Sequence, residues 1–205
     1  APWLFFEFGT GITLIKKSLL VVSPRFPYPI IGGDKIRLYF LCKVLSQHFE
    51  VHLISLCEDK AELGYPVPDD GVFASVERVY LPKWRSYLNC LFCIFTRTPL
   101  QVAYYFSLRL KTRVKVRMKT CDLALAHLVR VAHYIKSFQG FKVLEMTDSI
   151  ALNYKRVREL AMLGGFKNLV YALEESRLKG YEAQIAQQFD LNVLVSQIDL
   201  DYILA

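Results

Sequence analysis

Apolar, β-branched runs recur along the chain: SLLVVS near 18–23, EVHLISL at 50–56, SVERVYL at 75–81, CDLALAH at 121–127, FKVLEM at 141–146 and LNVLVS at 191–196. Several are apolar almost without interruption, the pattern of strands covered on both faces of a parallel sheet. The longer stretches between them have room for helices. The pattern therefore predicts βαβ units and an α/β fold: a Rossmann-like open, mostly parallel sheet with helices on both faces.

The first helix is expected to start near Asp34, whose carboxylate either caps free N–H groups or favours the positive end of the helix dipole. Leu38, Leu41, Cys42 and Leu45 form one helical stripe for burial, which Phe40 and Val44 widen. GYPVPDDG at 64–71 is turn-rich, LPKWRSYLNCLFCIF reads as a helix with a wide apolar face, and Pro99 marks the start of the next element. YALEESRLKGYEAQIAQQF is a long helix. RLKTRVKVRMK alternates like a half-exposed strand, yet βαβ spacing requires a helix between the flanking strands, and helix is the reading taken.

Composition narrows the class. With 205 residues, 53% hydrophobic, the chain can bury a substantial core in one large or two small domains. Five cysteines, an odd number, give no disulfide framework and fit a reducing, cytosolic setting. Cys90 and Cys93 have redox-motif spacing but sit in an apolar helical segment, so core packing accounts for them; no metal site is expected. No apolar stretch reaches the unbroken span of about 18 residues that crosses a bilayer. The opening APWLFFEFGTGITLI carries Glu7 and lacks a basic start, so residues 1–16 read as a leader or extra element ahead of the core.

The formal charge is +7, and between Glu77 and Asp122 the chain has ten Lys or Arg and no acid. Such a field suits anionic partners: nucleic acid, acidic lipid or a phosphorylated substrate. A solvated basic face is the competing reading. The residues concerned are Lys83, Arg85, Arg109, Lys111, Arg113, Lys115, Arg117 and Lys119, expected to meet an anionic membrane or acceptor surface. Trp84, Tyr87, Tyr104 and Tyr105 nearby would serve a nucleic-acid module, but no nucleic-acid motif supports that alternative.

Candidate chemistry gathers at strand ends. In PRFPYPIIGGDKIR, Gly32 and Gly33 lie at a strand-to-helix connection, where glycine permits positive φ and close approach of a ligand. The helix start offers N–H groups to an anion, and Lys35 or Arg37 would add charge. The spacing is neither a dinucleotide fingerprint nor a Walker loop, and a purely structural turn explains it equally. His127 closes CDLALAH at a carboxyl strand end, as a hydrogen-bond donor to a sugar or phosphate, a base, or a buried ring bonded to backbone. His133 is expected on a helix face. Asp148 follows another strand end, as hydroxyl ligand or base, or with Thr147 and Ser149 as a helix cap. Glu145, inside that strand, is read as facing either way.

SPRFPYPIIGGDKIRLYFLCKVLSQHFEVHLISL resembles the opening of bacterial family-four glycosyltransferases, in the branch tied to exopolysaccharide and surface-glycan synthesis. CDLALAHLVRVAHYI, KVLEMTDSIALNYKR and YALEESRLKGYEAQIAQQFDLNVLVSQIDLDYI resemble the succeeding blocks, so the similarity covers about residues 17–205. It implies the acceptor-side half of a two-domain GT-B enzyme that retains anomeric configuration and takes a nucleotide sugar as substrate, with no tightly bound cofactor or metal. Gly32 and Gly33 match the loop that approaches the donor phosphates, with Asp34 starting the helix. His127 lies near the strand-end His expected at the transferred sugar, and Asp148 at another cleft-facing strand end. A glycan or lipid-linked acceptor and a carboxyl-terminal donor domain are the implied partners. The resemblance implies that the chain is cut shortly after Asp201, ahead of that donor domain, so the half alone is expected to be inactive, and cytoplasmic or peripheral on the inner membrane face.

Overall fold

Each apolar run becomes a strand. The computed structural model describes residues 16–160 and 165–205; the expected leader, residues 1–16, lies outside the described residues except for Lys16. In chain order the elements are β1 (Lys17–Ser23), α1 (Gly33–Leu45), β2 (Phe49–Cys57), β3 (Ser75–Tyr80), α2 (Lys83–Cys93), α3 (Leu100–Tyr104) and α4 (Leu108–Arg117). There follow β4 (Leu123–His127), β5 (Phe141–Thr147), α5 (Ile150–Leu160), α6 (Gly165–Ala186), β6 (Leu191–Leu194) and α7 (Gln197–Leu204). The strands form one sheet in the order β3-β2-β1-β4-β5-β6, and every neighbouring pair is parallel. All carboxyl ends thus share one edge. The order reverses between β1 and β4, which opens a crevice at that edge.

The period-two alternation sorts the core into two clusters. On one face Leu20, Val22, Ile54, Ala124, Ala126 and Leu144 pack with residues of α3 through α7. On the other, Leu19, Val21, Val51, Leu53 and Leu125 pack under Leu38, Tyr39 and Cys42 of α1. This second face is covered less completely. Phe40 and Val44, expected to widen the buried stripe, are 53% and 58% exposed. With Ile36 they wall an apolar groove of about 700 Å³ whose floor is Leu123, Leu125, Phe141 and Val143. Tyr39 is buried in their stead, its hydroxyl donating to Asp70 at 2.9 Å.

RLKTRVKVRMK is helical, as βαβ spacing requires. Leu110 and Val114, four apart, are fully buried, and Ser107 accepts the N–H of Leu110 as the cap. The strand-like alternation misleads because Val116 is exposed. In α2 the wide apolar face read from the pattern exists but does not face the core: Ser86 is its one buried residue. All five cysteines are free thiols, and burial pushes Cys42 up to about 12, as expected of a packing residue.

The start of α5 is tied to two later helices. Ser149 Oγ accepts the N–H of Leu152 and donates to Glu182 Oε2 at 2.7 Å, while Glu182 Oε1 accepts the N–H of Ile150 at 2.8 Å. Asp199 accepts the N–H of Ser149 at 3.0 Å. Burial pushes the Glu182 carboxyl up to about 7 against the pull of these donors.

His133 falls in a short 3-10 segment, Val129–Tyr134, with its ring between Phe106 and Tyr134. Burial, helped by Lys136 and Lys111, pushes it down to about 4. The unfolded chain therefore binds the extra proton first, and the stability contributed by the neutral ring, complete above about 6.5, is lost as pH falls towards 4. Glu182 works in the opposite sense, its contribution falling as pH rises towards 7. Replacing His133 by Leu isolates the first effect: urea midpoints at pH 7 and 4.5 should show the wild type losing up to about 2 kcal/mol more than His133→Leu.

Candidate functional site

Two ionisable side chains meet where β4 and β5 end. His127 and Glu145 are direct neighbours in the parallel register. Alternation turns His127 to the same face as Leu125, and Glu145 to the same face as Val143, beneath α1. Both are buried. His127 Nδ1 lies 2.6 Å from Glu145 Oε2, and Thr147 Oγ1 donates to Glu145 Oε1 at 2.8 Å. Arg37, on the second turn of α1, donates through Nε to the same Oε1 at 2.7 Å.

Burial would raise the Glu145 carboxyl, but the hydrogen bonds from His127 and Thr147, with the charges of His127 and Arg37, hold it below the usual carboxylate range. An ionised carboxylate accepts only, so Nδ1 of His127 carries a proton. In the neutral ring Nε2 is then the acceptor, and in the charged ring a donor. Nε2 is buried and has no hydrogen-bond partner among the described residues.

His127 lines a tight recess between the β1–α1 connection and β4, too small to hold a water and walled by Ser23, Arg25, Asp34, Lys35 and Leu128. Backbone strain concentrates here. Leu128 has φ 70° and Thr147 φ 64°, left-handed values rare for residues with a Cβ. Leu128 directly follows His127 and Thr147 lies two residues beyond Glu145, so the unusual backbone sits where the chain leaves both strands.

The glycine pair resolves into two different residues. Gly32 has φ 98°, which favours glycine, whereas a Cβ on Gly33 would meet nothing within 4 Å. The helix begins at Gly33, with Asp34 inside its first turn and no side chain capping the N-terminus. Asp34 instead pairs with Arg25 Nη1 at 2.9 Å, and despite burial this charge holds its carboxyl below the usual range. Lys35 reaches Glu62 at 3.3 Å. Each cation near the loop is therefore matched by a carboxylate; Asp34 Oδ1 also accepts the Lys35 N–H at 3.0 Å, so the N–H groups at the very start of the turn are the ones left to meet an anion.

The other expected site residues lie apart. Asp148 accepts from Asn153 Nδ2 at 2.6 Å, and the cap of α5 is Ser149. Lys83 and Arg85 are exposed in the first turn of α2; Arg109, Lys111, Arg113, Lys115 and Lys119 are exposed on or just beyond α4. Arg117 is half-buried and bonds Glu77 at 3.0 Å, with Arg113 3.8 Å from the same carboxylate. Among the described residues no group of three His, Cys, Asp or Glu is arranged to hold a metal, and no helix is long and apolar enough to cross a membrane. Sequence reasoning did not pair Glu145 with His127, nor include Arg25. The available signal was one charged residue in the same position of each of two adjacent apolar strands.

No family model matches the chain, and no curated protein is detectably related in sequence. Solved structures share its fold. UGT2 of Phytolacca americana, solved with UDP-2-fluoro-glucose and pterostilbene, matches with a TM-score of 0.50 at 9% identity over 91% of this chain. The N-terminal domain of Candida albicans trehalose-6-phosphate phosphatase matches with a TM-score of 0.50 at 16% identity over 97%. The chain spans about half of each, 49% and 44%. The shared feature is the Rossmann-like α/β fold.

The loop geometry separates its two glycines experimentally. Gly32→Ala should cost about 1–2 kcal/mol in denaturant unfolding, because alanine resists positive φ. Gly33→Ala should be neutral or stabilise by up to about 1 kcal/mol.

Proposed function

We propose that the chain is the acceptor-side half of a retaining glycosyltransferase that moves a sugar from a nucleotide-sugar donor to a surface-polysaccharide or lipid-linked acceptor. The observation that carries this reading is the buried His127, held through Nδ1 by Glu145 and left with Nε2 free, beside the uncapped start of α1 at the crevice of a parallel sheet. The fold shared with UGT2, the ordered sequence blocks and the half-length match support it.

In this reading the N–H groups at Gly33 and Asp34 meet the negative charge that builds on the departing diphosphate. His127 Nε2 bonds a hydroxyl of the transferred sugar, and the Glu145–Arg37 pair keeps the ring from turning. The acceptor hydroxyl attacks from the face the diphosphate leaves. A second domain supplies most of the donor site, and the enzyme works at the cytoplasmic side of the membrane. Asp148 is proposed as an acceptor-side contact. No resident metal or cofactor is invoked. The alternative of a nucleic-acid-binding module draws support from the basic run alone.

The test is sugar transfer from a panel of nucleotide sugars to lipid-phosphate acceptors by the intact gene product and its His127→Ala variant. The reading expects turnover in the first and a loss of roughly 100-fold or more in the second, assayed at a temperature where circular dichroism shows the destabilised variant still folded. A protein inert towards every donor, or a variant with undiminished turnover, overturns it.

A further inference from the structure

Helix α2 buries only Ser86 fully and rests Tyr87, Asn89 and Cys90 against α3 and its flanks, while its other face is turned outward. Trp84 is 58% exposed, Leu91 57% and Phe92 75%, and Phe95, just past the helix end, is 95% exposed. Four large apolar side chains along one short helix and its exit make a continuous ridge, not the scattered exposed leucine that any soluble surface carries. The rim is basic. Lys83, Arg85, Arg97 and Arg109 are exposed, and the sequence from 78 to 121 has no acid. Arg85 lies 5.2 Å from the centre of the Trp84 ring, and a groove of about 290 Å³ runs between α2 and Arg109, lined by Trp84, Leu88 and Phe92.

We propose that this ridge seats α2 in the interface of an anionic lipid bilayer. An amphipathic helix with Trp and Phe on one side and cations at its flanks is matched by acyl chains beneath a layer of lipid phosphates. Charge decides against a second copy of the chain as occupant. A symmetric pairing would press the Arg85 and Arg109 rims of the two copies together, whereas lipid phosphates neutralise them. The basic residues of α4 are less suited, since Arg117 and Arg113 already meet Glu77. Because α2 follows the carboxyl end of β3, the ridge begins at the same sheet edge as His127. The benefit to catalysis, a lipid-linked acceptor delivered near that edge, rests on the function proposed above. Binding to the bilayer itself does not.

The experiment is sedimentation of the 205-residue chain with vesicles of phosphatidylcholine alone or mixed with phosphatidylglycerol, without donor. The wild type should pellet with the anionic vesicles only, and less at high salt. The pairs Phe92→Asp/Phe95→Asp and Arg85→Glu/Arg109→Glu should each weaken the partition by roughly tenfold or more. These side chains are exposed, so the melting temperature should not move, and a shift of the vesicle effect onto a folding defect would be visible there. Equal binding to both vesicles, no binding, or undiminished binding by the aspartate pair overturns the proposal. So does a concentration-dependent dimer that the aspartate pair abolishes while vesicles are ignored.

Discussion

A carboxylate buried near the carboxyl end of a central strand must be ionised and fully partnered, or it destabilises the fold around it. Glu145 meets this constraint with three partners from three places: Arg37 on α1, Thr147 two residues on, and His127 on the neighbouring strand. These bonds do more than satisfy one charge. They attach α1 to β5, one strand beyond the point where the strand order reverses, and they set which nitrogen of His127 is free. Removing one partner would leave the others as buried, uncompensated polar groups, which typically costs about 3–5 kcal/mol. The site and the packing of α1 are thus one arrangement.

The two faces of the sheet are covered unequally, and this organises the rest of the surface. Helices α3 through α7 bury one face, whereas α1 is the only helix packed on the other among the described residues, leaving an apolar groove over β4 and β5. A second apolar surface, on α2, is bordered by cations rather than by sheet residues. The difference in rim chemistry is what separates a surface suited to lipid phosphates from a groove whose occupant has no charge signature.

Much of the fold was legible because strand and helix periods are local properties. All six apolar runs are strands, and the spacing argument placed a helix at Leu108–Arg117 even where alternation suggested a strand. What failed depended on neighbours. Phe40 and Val44 fall on the helical stripe, but their burial required a covering element that periodicity does not reveal. The apolar face of α2 was visible in sequence; its outward direction was not. At the site, the positions of His127 and the glycine loop were legible as strand-end residues. The role of Glu145 was not, because it depends on β4 and β5 being adjacent and in a register that sets two side chains opposite each other. Likewise the free charge expected of Lys35 and Arg37 disappears only once Glu62 and Glu145 are brought to them across the fold.

The central claim is that Glu145 fixes the proton of His127 on Nδ1 and leaves the buried Nε2 without a hydrogen-bond partner among the described residues. Imidazole ¹⁵N NMR of the histidine-labelled chain, read on the neutral form of the ring, reports this directly. The account predicts a protonated, strongly hydrogen-bonded Nδ1 and a bare Nε2 for His127, with that preference weakened in Glu145→Gln. A neutral ring carrying its proton on Nε2, or a tautomer indifferent to Glu145→Gln, would contradict it.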